Sequence, residues 1–238
     1  VAACAFGTLA IVFYVSKADG HLYRFESNDS GATWGAATDM GDITGGTGTR
    51  VAACLASATT GFLVYNIGAS VYRRVLSTTW GAQTVWTNSV ASVTGLAAGY
   101  DVSAAGDFYG VLITGTAITS TDPTLWGCTF KISTSVWAAL LQISVASSGS
   151  NLSFNSPFMD YPGNNSYDIL RYWFVESYTG SESYNRLHWG QAFLVDGDFH
   201  LEPAPFNLTS TYGLAVCHSS TACWLTRPDG VWYALLAP

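Results

Sequence analysis

The side chains best suited to handling a polar ligand fall in a few places along this 238-residue chain. Ser177-Tyr178-Thr179-Gly180-Ser181-Glu182-Ser183-Tyr184-Asn185 brings two phenol rings, a carboxylate and several hydroxyls into one short segment. The rings of Tyr178 and Tyr184 can stack on a sugar ring, while Glu182 and the hydroxyls can orient its hydroxyl groups. Asp19 with His21, near the start, and Arg227 with Asp229, near the end, are charged groups of the kind that fix a polar ligand by hydrogen bonds. Each is, taken singly, also ordinary for a solvated turn, because charged residues are mostly exposed. As a set they are ligand-binding candidates, and none is given a catalytic role. Asp196 and Asp198 have the residue types of a glycosidase acid and base, but their turn-like setting reads first as solvated.

Such groups need turns held by strands. Ser27-Asn28-Asp29-Ser30-Gly31-Ala32-Thr33-Trp34 follows the pattern S-x-D-x-G-x-T-W between two strand-like runs. Ser27 and Asp29 can accept from nearby backbone N–H groups, Gly31 can take the positive φ of a hairpin turn, and Trp34 can pack beneath it.

The octet sets a phase, and the chain repeats against it. Val1-Ala2-Ala3-Cys4 returns as Val51-Ala52-Ala53-Cys54, Leu96-Ala97-Ala98-Gly99, Leu214-Ala215-Val216-Cys217 and, less closely, Pro157-Phe158-Met159-Asp160. Each tetrad precedes an apolar run, then an alternating run, and in four units a fourth segment near Trp34, Trp80, Trp137 or Phe199. β-Branched and aromatic enrichment with Gly/Asn/Asp/Ser turns predicts strands throughout. Units of roughly 45–55 residues with four strands predict an all-β fold, a β-propeller of five blades. We expect one domain over 1–238, with blades at about 1–44, 51–91, 96–146, 152–206 and 211–238. The last has three strands. Strand-like sequence at both ends gives the expectation of a segment excised from something larger.

Nine Lys and Arg against sixteen Asp and Glu give a net charge of −7. That argues against nucleic acid, which is held by clustered basic side chains. No run approaches the ~18 apolar residues of a membrane span, so no membrane insertion is expected. Five cysteines without a C-x-x-C pair indicate neither a zinc site nor a complete disulfide framework. No metal site and no cofactor are expected. Cys4, Cys54 and Cys217 share one position of the repeat and read as small buried hydrophobes. Cys217 and Cys223 flank a predicted hairpin and would form a disulfide only in an oxidising compartment.

The octet and the repeat together resemble the Asp-box (BNR) propellers, the family that includes sialidases and non-catalytic glycan binders. Ser77-Thr78-Thr79-Trp80 resembles a degenerate second copy of the motif, without its Asp and Gly. The closing stretch, Tyr212 to Cys217 and Gly230 to Tyr233, is similar to propeller segments of phage-like and environmental surface proteins. A sialidase would imply three arginines converging on a substrate carboxylate, a tyrosine activated by a glutamate, and an aspartate as acid/base. The family's arginine-isoleucine-proline signature is absent. Arg73 and Arg74 are adjacent, so on a strand they point to opposite faces and cannot join one cluster.

In four-stranded units the octet lies at the same end as the loops joining strands one and two. The opposite end carries the richer loops, Ser16–Gly20, Ala117–Thr124, Ser177–Asn185 and Thr226–Gly230, and binding concentrates on such loops. In a closed ring Asp19 and His21 would neighbour Arg227 and Asp229. The expected function is non-catalytic recognition of a glycan or glycosylated surface, in an extracellular, virion-surface or cell-surface setting. A diverged glycoside hydrolase and a structural or protein-interaction propeller are the alternatives.

Overall fold

The computed structural model describes the chain except residues 44–48, 88–89, 101–107, 119–120, 146–151, 161–168, 180–183, 194–197, 202–205, 209–221, 228–229 and 236–238. Every helix or strand among the described residues is a β-strand, as the short apolar runs and turn residues predict. No helix among these residues is long and apolar enough to cross a membrane.

The strands form antiparallel sheets in chain order. The first sheet runs β1 (Ala2–Phe6), β2 (Leu9–Val15), β3 (His21–Ser27) and β4 (Thr38–Asp42). The second runs β5 (Val51–Leu55), β6 (Thr60–Ile67) and β7 (Ser70–Ser77), and both β8 (Thr79–Trp80) and β9 (Thr84–Thr87) pair with β7. The third repeats this plan with β10 (Val90–Tyr100), β11 (Phe108–Ala117), β12 (Pro123–Lys131), β13 (Val136–Trp137) and β14 (Leu141–Val145). The fourth does so with β15 (Leu152–Asp160), β16 (Ile169–Tyr178), β17 (Tyr184–Phe193), β18 (Asp198–Leu201) and β19 (Phe206–Leu208). A fifth, two-stranded sheet pairs β20 (Ala222–Arg227) with β21 (Gly230–Leu235).

Four of the repeated tetrads fall on β1, β5, β10 and β15. The fifth, Leu214 to Cys217, lies outside the described residues. β1 lies beside β5, β5 beside β10, and β10 beside β15, so first strands neighbour first strands. Small residues on β1, β5 and β10 allow close approach, whereas β15 carries Pro157, Phe158 and Met159 at that place. β10 starts before its tetrad because Val90 and Val93 are buried too, and bulges after Val90 and Val93 absorb the added length.

Successive sheets pack face to face around separate cores. Ile11, Phe13 and Leu22 meet Leu55, Leu63, Tyr65 and Leu76 between sheets one and two. Phe62 and Val64 meet Tyr109, Ile113 and Phe130 between sheets two and three. Leu112 and Leu125 meet Phe154, Tyr172 and Phe174 between sheets three and four. Neighbouring residues of β6 therefore serve different cores, because side chains alternate across a strand. Burial on both faces is why this run reads as continuously apolar.

The turns from third to fourth strand carry the octet's geometry further than its sequence. Ser27 Oγ accepts the Gly31 N–H at 2.8 Å and donates to Asp29 Oδ1 at 2.7 Å. Asp29 accepts the Thr33 N–H at 2.8 Å and the Thr33 hydroxyl at 2.6 Å. Ser30 and Gly31 have φ of 60° and 89°. Thr78 (φ 68°) and Ser135 (φ 54°) occupy the corresponding turns of sheets two and three. The left-handed turn thus persists where its glycine is gone. Trp34 lies 3.7 Å from where a Cβ on Gly31 would sit, yet stays 45% exposed, so it packs against the turn more loosely than expected.

Candidate functional site

Strand register puts the starts of the first strands and the connections between second and third strands at one end of the sheets. The octet lies at the other end. At the first end, the five-residue turn 16–20 closes with the Ser16 N–H donating to His21 O at 2.9 Å and the Gly20 N–H to Ser16 O at 3.0 Å. Gly20 has φ 75°, which a side chain would resist.

This turn presents Asp19 and His21 in a connected rim. Asp19 Oδ1 accepts the His21 N–H at 3.0 Å, and Asp19 Oδ2 accepts the Tyr23 hydroxyl at 2.8 Å. His21 Nδ1 lies 2.8 Å from Asp39 Oδ2, and Asp39 Oδ1 accepts the Gly41 N–H at 2.7 Å. A register shift between His21 and Tyr23 opposite β4 brings Asp39 within reach. Behind these groups the rings stack along the sheet: His21 on Tyr23 at 6.2 Å, Tyr23 on Tyr14 at 5.4 Å, and Tyr14 on Phe25 at 5.5 Å. The rim is partly open, His21 being 31% and Asp39 47% exposed in their side chains.

The hydrogen bonds fix the ionisation of the rim. The His21 N–H, with Ser16 and Tyr23, holds the Asp19 carboxyl down at about 2. The Gly41 N–H and then His21 lower Asp39. The bond to Asp39 raises the His21 imidazole above its ordinary value, and donation to Asp19 raises the Tyr23 phenol to about 12. Asp29, in the octet, is held at about 2 by the Thr33 hydroxyl first. These three aspartates accept hydrogen bonds as anions. A glycosidase's proton donor needs the reverse, a carboxyl held high.

Ser177–Asn185 is shorter as a loop than its composition predicts. Ser177 and Tyr178 belong to β16, Tyr184 and Asn185 to β17, and Tyr178 pairs with Tyr184 in register. Cross-strand hydrogen bonding overrides the turn preference of Ser and Asn here. Tyr178 is partly buried, and Glu182 lies outside the described residues. Further along the same strands, Glu176 lies 3.6 Å from Arg186 and 3.3 Å from His188 Nε2. The His188 contact is an ion-pair approach that misses hydrogen-bond geometry. Burial lowers the His188 imidazole, against the pull of Glu176, and its ring stacks on Phe174 at 4.9 Å. His188 is a packing residue.

Arg227 ends β20 and pairs in register with Gly230, the first residue of β21. Asp229 lies outside the described residues, as do Asp196 and Cys217. Arg24, Arg50, Arg73, Arg74 and Arg186 have separate partners. Arg24 pairs with Glu26 at 3.1 Å, Arg50 Nε donates to Thr94 O at 2.9 Å, and Arg186 faces Glu176. Arg73 lies over the Phe130 and Trp137 rings, while Arg74 turns to the opposite face and donates to Met40 O. Cys4 and Cys54 sit on adjacent strands with thiols pushed up by burial, Cys4 to about 12, so both are protonated. That is the state of packing residues.

Sequence reading missed Tyr14, Tyr23 and Asp39. The rings had a signal, since Val12/Tyr14 and Tyr23/Phe25 alternate along paired strands. Asp39 had none, because its place depends on the register shift.

No family model matches the chain, and no curated protein matches it. Among solved structures, it aligns with the endo-arabinase from Bacteroides thetaiotaomicron VPI-5482, at a TM-score of 0.49 and 13% identity. The alignment covers 95% of this chain and 84% of that one.

Proposed function

We propose that this chain is a five-bladed propeller of the Asp-box type and acts as a non-catalytic recognition module for a glycan or glycosylated surface. The sheet series, the adjacency of first strands and the recurrent left-handed turn support the architecture. The observation that carries the function is the Asp19–His21–Tyr23–Asp39 rim: stacked aromatic rings flanked by two carboxylates already ionised and oriented. Aromatic faces take up the apolar side of a sugar ring, and fixed carboxylates accept its hydroxyls. Tyr178 and Tyr184 lie at the same end of the fourth sheet as the rim does of the first, and Glu182, Arg227 and Asp229 join the proposed binding face from the sequence repeat. An extracellular, virion or cell surface is the proposed setting.

The separate partners of Arg24, Arg50, Arg73, Arg74 and Arg186 and the low carboxyls of the rim favour binding over hydrolysis. A glycan array run beside a panel of fluorogenic glycosides tests the reading. Selective binding without turnover supports it. Turnover of any glycoside transfers the chain to the hydrolases, and silence in both assays removes the glycan reading.

A further inference from the structure

The end of the sheets that carries the octet holds a second feature. Between sheets one and two lies a cleft of about 430 Å³, with Ile11, Leu76 and Trp80 as apolar wall and Arg24, Glu26 and Thr78 as polar wall. The repeat supplies an internal control. Register and facing place Phe62 of sheet two where sheet one has Ile11, and Phe130 of sheet three where sheet two has Leu76. Trp137 corresponds to Trp80, and Arg73 to Arg24. Between sheets two and three this slot is filled: Phe62 meets Trp137 at 5.5 Å, Phe130 meets Trp137 at 4.9 Å, and Arg73 covers both Phe130 and Trp137. Between sheets one and two the smaller Ile11 and Leu76 leave the space open, and Arg24 pairs with Glu26 instead.

We propose that this cleft is a second ligand site, taking a neutral hydroxylated ring of mono- or disaccharide size. The volume lies at the lower end of the ~300–1,000 Å³ of small-molecule sites. Arg24 and Glu26 cancel in charge, so an uncharged ligand enters without stranding either. Glu26 accepts from ligand hydroxyls. Arg24 Nε and Trp80 Nε1 are buried donors without a hydrogen-bond acceptor, the 3.1 Å Arg24–Glu26 contact missing hydrogen-bond geometry. Arg73 Nε and Trp137 Nε1 also lack acceptors, but there aromatic rings occupy the slot. The buried donors are alike in both slots; the open volume is what distinguishes this one.

The site is separate from the rim proposed above, and variants distinguish the two. The full chain is titrated with glucose, galactose, N-acetylglucosamine and glucuronate by saturation-transfer NMR and calorimetry. At least one neutral sugar is expected to bind. Leu76→Phe, which copies Phe130 into the cleft, should weaken it about tenfold or more, with the melting temperature retained. Tyr23→Ala, at the rim, should leave it unchanged. Should Leu76→Phe fail to fold, Glu26→Gln must weaken the same sugar severalfold. No binding by any neutral sugar, binding by glucuronate alone, or loss in Tyr23→Ala in place of the cleft variants overturns the proposal.

Discussion

Replacing Phe62 by Ala tests how the sheets are held together. Phe62 is fully buried, stacked on Tyr109 at 5.1 Å and edge-on to Trp137 at 5.5 Å. Truncating a buried Phe costs about 3–5 kcal/mol through lost transfer free energy and the cavity left behind. Each aromatic pair adds ~0.5–1.5 kcal/mol, which puts Phe62→Ala in the upper part of that range, about 4–5 kcal/mol. For a chain of this size ~2–4 °C is lost per kcal/mol, so the melting temperature should fall by roughly 8–20 °C. Ile11→Ala is the matched comparison. Ile11 occupies the corresponding place and is equally buried, but it borders the open cleft and carries no ring of its own to form an aromatic pair. Beside an open cleft there is less packing to lose, so its cost belongs at the low end of the ~2–5 kcal/mol for such truncations. Urea denaturation and calorimetry of both variants decide it. Equal losses, or a Phe62→Ala cost below about 2 kcal/mol, would refute the contrast between a filled and an open slot.

Two further outcomes follow from local geometry. Thr78→Gly should stabilise the protein by about 0.5–1 kcal/mol, since relief of the left-handed strain outweighs the added freedom of glycine in the unfolded chain; a loss of stability in denaturation would contradict the turn geometry. His21 should titrate above its ordinary value of ~6.5 in an NMR pH series and return toward it in Asp39→Asn. Its folded-state pKa is raised, so the His21–Asp39 contribution is complete below pH ~6.5 and is lost as pH rises through the folded value. A midpoint at or below ~6.5 in the native protein would remove the ion pair from solution.

How far the sequence carries depends on how local each feature is. The octet is legible because Ser27, Asp29 and Thr33 bond within it, so composition and spacing suffice. The tetrads on β1, β5 and β10 are legible because small residues recur there at a fixed phase, while Pro157 to Asp160 on β15 follows less closely. Thr78 and Ser135 are not, because the sheet enforces their positive φ against their own preference. Ser177–Asn185 misleads in the opposite sense: its residues favour a turn, yet pairing of Tyr178 with Tyr184 extends both strands. Asp39 joins His21 only through a shift in pairing between β3 and β4. The open cleft lies between these cases. Its cause, Ile11 and Leu76 in place of Phe62 and Phe130, is written in the chain, but shows only once register aligns the sheets.

The rim is the centre of the functional reading, and one comparison tests it most directly. The native chain and the variants Tyr23→Ala and Asp39→Asn are applied to the same glycan array at equal concentration. Tyr23→Ala removes the middle ring of the stack, and Asp39→Asn removes a fixed acceptor while preserving shape. Selective binding by the native chain, lost in both variants with the fold intact by circular dichroism, is the predicted result. Binding that survives both substitutions unchanged contradicts the assignment of the rim as the recognition site.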